Sequence, residues 1–278
     1  MTTVTLLHPG AMGASIGSAL TQNGHTVLWV SKERSQTTKQ RAADAGLEES
    51  EFRTALNRAD VVISVTPPGV AVSVAADVAD EGFDGVYVDM NAVAPQSATQ
   101  MAALFPQFVD GGIVGPPAWE RGTTRLGLSG PRTTEVESLF TGSTIETIDL
   151  GPEIGKASAF KVSFAAWTKG SGALLLLVCA YARSQGVESA LFQEWERRGM
   201  GMETKSTTVA QQMGPKSWRF GDEMREISDA VEAAGLGTGL FKHAGATFDR
   251  LNHLKNATDR PPTLEEVTRD LLATPPAQ

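Results

Sequence analysis

Two short segments carry the residue types that bind a phosphorylated ligand. The first is His8-Pro9-Gly10-Ala11-Met12-Gly13, set between an apolar run ending at Leu7 and a stretch of small residues through Gly17. A helix N-terminus leaves backbone N–H groups unpaired and carries partial positive charge, and glycines let a pyrophosphate approach it without a Cβ in the way. Gly10, Ala11, Met12 and Gly13 are therefore candidate cofactor residues. In the pattern G-x-G-x-x-G the first glycine position is held by His8, which either alters the turn or contacts the phosphate. The second segment is Ser31-Lys32-Glu33-Arg34-Ser35. About 20 residues past the glycines, an NAD site carries an Asp or Glu for the ribose 2′-hydroxyl. Ser31 stands at that position, while Lys32, Arg34 and Ser35 supply positive charge and hydroxyl donors suited to a 2′-phosphate. The expected cofactor is NADP(H); Glu33 is the group that would favour NAD if the register shifted by two.

These segments need a particular frame. Apolar runs at Val4–7, Thr26–30, Asp60–65 and Gly85–89 alternate with segments of helical spacing, and the run at 60–65 is apolar enough for a strand covered on both faces. Asp110-Gly111-Gly112 reads as a turn. Two further strands are expected at 125–129 and 144–149, flanking a short helix from Pro131. Repeated βα units of this length predict an α/β fold, an N-terminal Rossmann-type doubly wound parallel sheet. From Gly155 to Gln185 one long apolar helix is expected, followed by shorter ones near 189–198, 203–213, 218–234 and 240–256. A last helix opens with Thr263 and Glu266 at capping-box spacing, and the tail from Thr274 reads as frayed. The predicted division is a cofactor-binding domain, 1–151, and an all-helical domain, 152–278, for substrate and dimerisation.

The chain's 278 residues carry a net charge of −8, with no local run of Lys or Arg to bind nucleic acid. The single cysteine, Cys179, excludes an internal disulfide framework and falls in an apolar run. The N-terminus has no charged leader, and the run at 172–182 is shorter than the about 20 residues needed to cross a bilayer. A soluble, cytoplasmic protein acting on a small molecule is expected, without nucleic acid or membrane partners. His25, His243 and His253 lack partners at ligand spacing, so no metal site is expected.

The order Gly10-Ala11-Met12-Gly13, Thr66-Pro67-Pro68, Asp89-Met90-Asn91-Ala92, Asp110-Gly111-Gly112-Ile113-Val114-Gly115-Pro116 and Ile154-Gly155 with Lys161 resembles the β-hydroxyacid dehydrogenase and 6-phosphogluconate dehydrogenase superfamily. The likeness covers nearly the whole chain and is greatest to an uncharacterised phosphogluconate dehydrogenase-like branch, through Phe160-Lys161, Thr168-Lys169-Gly170 and Trp218 with Glu223-Met224. Imine reductases are a neighbouring branch. The resemblance implies that Thr66 and Pro67 line the adenosine side and that Asn91 lies beside the nicotinamide ribose. It implies that Gly115 and Pro116 wall the substrate pocket and that Lys161 is the catalytic acid/base. Asn91, Gly115, Pro116, Lys169 and Trp218 are the candidates for substrate contact. The family's interlocked helical domains imply a homodimer.

Spacing bears on Lys161 separately, because Lys161, Ala165, Thr168, Lys169 and Gly172 share one helix face that is otherwise small. The chain also departs from the family. Ala165 replaces the asparagine four residues after the lysine, and Val114-Gly115-Pro116 replaces the substrate-binding serine. Phe164 and Ala165 stand where the decarboxylating enzymes carry histidine and asparagine. The expected activity is NADPH-dependent hydride transfer to or from a small carbonyl or hydroxyl substrate bulkier or less charged than a simple hydroxy acid. The alternatives are an imine reductase and a non-catalytic NADPH-binding sensor.

Overall fold

The apolar runs become strands of one sheet. In chain order the elements are β1 (Thr3–Leu7), α1 (Ala11–Gln22), β2 (Thr26–Val30), α2 (Gln36–Asp44), β3 (Glu48–Ser50), α3 (Phe52–Arg58) and β4 (Val61–Ser64). They continue with α4 (Ala71–Asp80), β5 (Val86–Asp89), α5 (Pro95–Ala102), β6 (Phe108–Val114), β7 (Thr124–Ser129), α6 (Thr133–Phe140) and β8 (Ile145–Asp149). The computed structural model describes residues 1–255, Ala257 and 260–273, and the chain divides into two compact units, Met1–Val162 and Ser163–Gln278.

The first unit holds an eight-stranded sheet of order β3-β2-β1-β4-β5-β6-β7-β8. Its first six strands run parallel in the 3-2-1-4-5-6 order of a doubly wound dinucleotide fold. β7 reverses against β6, and β8 runs parallel to β7, so the sheet is mixed at that end. Side chains alternate along each strand as the pleat requires. Leu6, Ile63 and Val88 pack with Ile16 and Leu20 of α1 and Phe140 of α6 on one face. Leu7, Val62 and Tyr87 pack with Leu56, Val78 and Met101 of α3, α4 and α5 on the other. Burial on both faces is why these strands are so continuously apolar.

Two local expectations in the sheet's unit change. Asp110-Gly111-Gly112 lies inside β6 rather than in a turn. The acidic stretch before Leu56 holds the short edge strand β3 and helix α3, which no apolar alternation announced.

The helices that follow are α7 (Lys156–Ser184), α8 (Glu188–Arg197), α9 (Met202–Met213), α10 (Ser217–Ala233), α11 (Gly239–Asp249) and α12 (Leu264–Ala273). The helix expected over 240–256 ends at Asp249 and is followed by a 3₁₀ turn at Asn252–Leu254; Asn256 and the tail 274–278 lie outside the described residues. The first turns of α7 belong to the sheet's unit and the rest to the second, where Leu176 and the buried Cys179 pack with Ala210, Val267 and Leu271. α7 is long and apolar enough to cross a membrane by length and composition alone. The capping box forms at α12: Glu266 accepts from the Thr263 N–H at 2.9 Å, and Thr263 Oγ1 accepts from the Glu266 N–H at 3.2 Å.

Candidate active site

The strand order reverses at β1 and β4, and ligands of such sheets bind beyond the carboxyl ends of the strands at that switch. The chain leaves β1 through His8 and Pro9 and enters α1 at Gly10, whose N–H donates back to the His8 carbonyl at 2.8 Å. No side chain caps α1. A Cβ on Gly13 would come 2.5 Å from the His8 carbonyl oxygen, so only glycine lets α1 start this close to the turn. An uncapped helix start against a glycine turn is the cradle a pyrophosphate needs. Gly10, Ala11, Met12 and Gly13 form this helix start, and its geometry fits a dinucleotide.

His8 itself has left-handed backbone, φ 68. For a residue with a Cβ this costs on the order of 1–3 kcal/mol, which glycine would avoid. Its half-buried imidazole lies over the turn, and Nδ1 is 3.3 Å from Nη1 of Arg34 in the β2–α2 loop. Burial and the neighbouring Arg34 and Arg41 charges hold the His8 pKa below its ordinary value.

The rest of that loop is only partly directed to a ligand. Ser31 Oγ donates to Glu49 of β3, and Ser35 caps α2 by accepting from the Thr38 N–H at 3.2 Å. Lys32 and Arg34 are exposed. Of the group suited to a 2′-phosphate, the two cations face solvent while the two hydroxyls hold local structure. Glu49 was not singled out in the sequence, because β3 is too short to declare its register.

Beyond β4 and β5 the polar groups bind one another. Asn91 is buried. Its Oδ1 accepts from the Thr66 N–H at 2.5 Å, and its Nδ2 donates to Asp89 Oδ1 at 2.5 Å and Ser64 Oγ at 3.1 Å. The amide thus ties the loop after β4, with Thr66 and the exposed Pro67, to the end of β5. Asp89 is buried and in register with buried Asp110 of β6. Burial, with the Asp110 charge second, pushes the Asp89 carboxyl up to about 7, against the pull of the Asn91 hydrogen bonds.

Asp110 holds the start of α7. Its Oδ2 accepts from the Gly155 N–H, the Ser158 N–H and Ser129 Oγ, each at 3.0 Å, and its Oδ1 accepts from Ser158 Oγ at 2.7 Å. Ser129 Oγ accepts from the Ala157 N–H at 3.0 Å, so two side chains satisfy the helix's orphan donors. The helix then crosses β6 at Gly112, where an added Cβ would come 2.3 Å from the Ala157 carbonyl oxygen and 3.1 Å from Lys161 Cβ. Lys161 is half-buried there, and Gly112 lies two residues beyond the last β5–β6 pair, Asp89 with Asp110. The sheet thereby puts the lysine at the carboxyl edge of its parallel strands. Neither Asp89 nor Asp110 was assigned a role from sequence; the signal was a lone acid directly after each apolar run.

Gly115 and Pro116 are exposed in the loop after β6, where the Pro116 carbonyl accepts from Thr124 Oγ1 at 2.6 Å. That loop is tied to α1 by the Ala118 N–H donating to Ser15 Oγ at 2.9 Å, and it exposes Trp119, another residue sequence reasoning did not single out. In the second unit Lys169 pairs with Glu223 and lies 5.0 Å from the Phe220 ring centroid. Trp218 is partly exposed beneath Lys255, whose Nζ is 4.3 Å from the ring centroid. Gly172 accommodates Met213 of α9, so this part of the small-residue face serves close helix packing.

Residues 3–93 match the family model described as NADP oxidoreductase, coenzyme F420-dependent, and residues 182–251 match a domain of unknown function. An uncharacterised 28.5 kDa protein from Methanothermus fervidus is 29% identical over 166 residues, a match spanning 58% of this chain and 64% of that relative. Among solved structures, conserved protein MTH1747, of unknown function and described as structurally similar to 3-hydroxyacid dehydrogenases, is 27% identical. That match has a TM-score of 0.72 over 91% of this chain and 97% of the other. Mycobacterium tuberculosis 3-hydroxyisobutyrate dehydrogenase shares the fold at a TM-score of 0.73, 19% identity and coverage of 98% and 100%. Imine reductases and reductive aminases share it at TM-scores of 0.52 to 0.57. The glycine cradle at the β1–α1 turn and the strand order give the chain the dinucleotide-binding fold of these solved structures, and residues 3–93 carry the likeness to the F420-dependent NADP oxidoreductases.

Proposed function

We propose that the protein is an NADP(H)-dependent oxidoreductase acting on a small carbonyl or hydroxyl substrate, with Lys161 as acid/base. The observation that carries this reading is the seating of Lys161 against Gly112 by a helix whose start is held by Asp110 and Ser129. Gly10, Ala11, Met12 and Gly13 would hold the pyrophosphate, Lys32 and Arg34 the 2′-phosphate, and Thr66 and Pro67 the adenosine side. Asn91 would act by fixing the Thr66 loop, since its amide is already engaged. When bound, NADP(H) supplies or accepts the hydride.

Lys161 Nζ would give a proton to the substrate heteroatom in reduction and take it back in oxidation. Such proton transfer contributes about 10²–10⁴-fold to rate. Gly115 and Pro116 would wall the substrate. Val114-Gly115-Pro116 and Ala165 offer no hydroxyl or amide for a carboxylate, which favours a less charged substrate.

Lys161→Ala is expected to keep NADPH binding and to lose about 100-fold or more in turnover across a panel of aldehydes, keto acids and cyclic imines. Undiminished turnover would remove the lysine's role, and no turnover by the unaltered protein would leave an NADPH-binding sensor. The same missing polar groups favour imine reduction as a second reading, identified by amine formation from cyclic imines without keto acid turnover.

The proposed setting is a soluble, cytoplasmic homodimer with no nucleic acid or membrane partner. The net charge of −8 and the burial of Leu176 and Cys179 of α7 against other helices support solubility. An exposed apolar stripe on another face of α7, Trp167, Leu174 and Tyr181, supports the dimer.

A further inference from the structure

We propose that His8 selects the cofactor, by holding the Arg34 guanidinium at the glycine turn so that this cation meets the 2′-phosphate of NADP(H). The inference rests on the NADP(H) reading above and concerns a residue that replaces the usual first glycine.

Among the described residues only His8 and Glu33 have left-handed backbone without being glycine, at φ 68 and 59. One lies in the turn after β1 and the other in the loop after β2. These strands are neighbours, with Leu6 opposite Trp29, so the two loops emerge side by side. A histidine stands where glycine would be unstrained, and its ring has two neighbours. It lies over the turn, where a Cβ on Gly10 would come 3.2 Å from Nε2. Its Nδ1 also meets Arg34 Nη1.

The chemistry of that contact fixes the proton. Arginine only donates, so Nδ1 accepts and the neutral ring carries its hydrogen on Nε2. The lowered pKa of His8 is consistent with a neutral ring. A carboxylate in the same place would orient Arg34 equally well but would neutralise it and repel a phosphate. A neutral imidazole orients the guanidinium and leaves its charge for the ligand. Arg34 forms no ion pair with a carboxylate among the described residues, in contrast to Arg53, Arg58 and Arg125 of the same unit. The 2′-hydroxyl of NADH offers that charge nothing comparable, so the geometry discriminates between the two dinucleotides.

Binding of NADPH and NADH, followed by nicotinamide fluorescence, tests this in the unaltered protein, His8→Gly, Arg34→Ala and the double variant. His8→Gly is expected to raise the Kd for NADPH about fivefold to tenfold and to change that for NADH less than about twofold. Relief of the backbone strain should leave its melting temperature no lower than that of the unaltered protein. In the Arg34→Ala background His8→Gly should cost NADPH binding nothing further. An unchanged NADPH preference in His8→Gly, or the same loss with and without Arg34, overturns the proposal. If the unaltered protein binds neither dinucleotide, or prefers NADH, the cofactor reading falls and takes this inference with it.

Discussion

Asp89 shows what burial does to one residue's chemistry. Its carboxyl is fully buried, paired in register with Asp110, and raised from an ordinary 3.8 to about 7 by burial first and by that neighbour second. An acid raised in the folded state keeps its proton after the unfolded chain has lost it. The unfolded state then binds fewer protons, so stability falls as pH rises through the window from 3.8 to about 7. Asp89→Asn removes the titration while keeping an oxygen to accept from Asn91. The melting temperature of the variant minus that of the unaltered protein should therefore grow from pH 5 to pH 8 in a series of thermal melts. Parallel profiles would mean that Asp89 is ionised in the fold throughout. The same residue explains why Asn91, expected beside the nicotinamide ribose, faces inward: Asp89 and Ser64 take both its amide hydrogens.

The first turn of α7 depends on one glycine in a strand. Gly112 leaves the space occupied by the Ala157 carbonyl oxygen, and backbone cannot yield as a flexible side chain can. Gly112→Ala should cost about 1–3 kcal/mol of stability, as overpacking does, readable by denaturant unfolding. It should also reduce turnover while leaving the Kd for NADPH within about twofold, because the glycine cradle at β1–α1 is untouched. A loss of NADPH binding equal to the loss of turnover would sink this reading of Gly112. The sequence disclosed the long helix, its lysine and the strand ending at Asp89, since each is carried by local periodicity. It misread Asp110-Gly111-Gly112, because paired glycines signal a turn locally and a close approach only when the crossing helix is known. It missed β3, whose Glu48-Glu49-Ser50 has no apolar alternation and is held by backbone pairing with β2. The glycine turn and the cationic loop were legible as separate segments; the His8–Arg34 contact between them was not, because it depends on strands that become neighbours only in the sheet.

At the scale of the molecule, the second unit carries an apolar stripe that its own helices leave uncovered. Trp167, Leu174 and Tyr181 of α7 are 73%, 54% and 67% exposed and recur every seven residues, so they lie along one helix face. An aromatic side chain buries about 150–250 Å² when covered, so two aromatics and a leucine from each of two chains supply a continuous apolar contact. A second copy is the occupant whose matching stripe is guaranteed, because a two-fold interface uses the same patch twice. Light scattering at micromolar concentration should give twice the chain mass of 29.4 kDa for the unaltered protein. Leu174→Glu combined with Tyr181→Glu should give the single mass, since carboxylates buried without partners oppose association. Both substitutions lie outside the glycine cradle and the Arg34 loop, so the monomeric variant should still bind NADPH. A monomer in the unaltered protein would leave the stripe without this explanation. A variant that dissociates, binds NADPH and loses turnover would place the requirement for the second copy at the substrate end of the site.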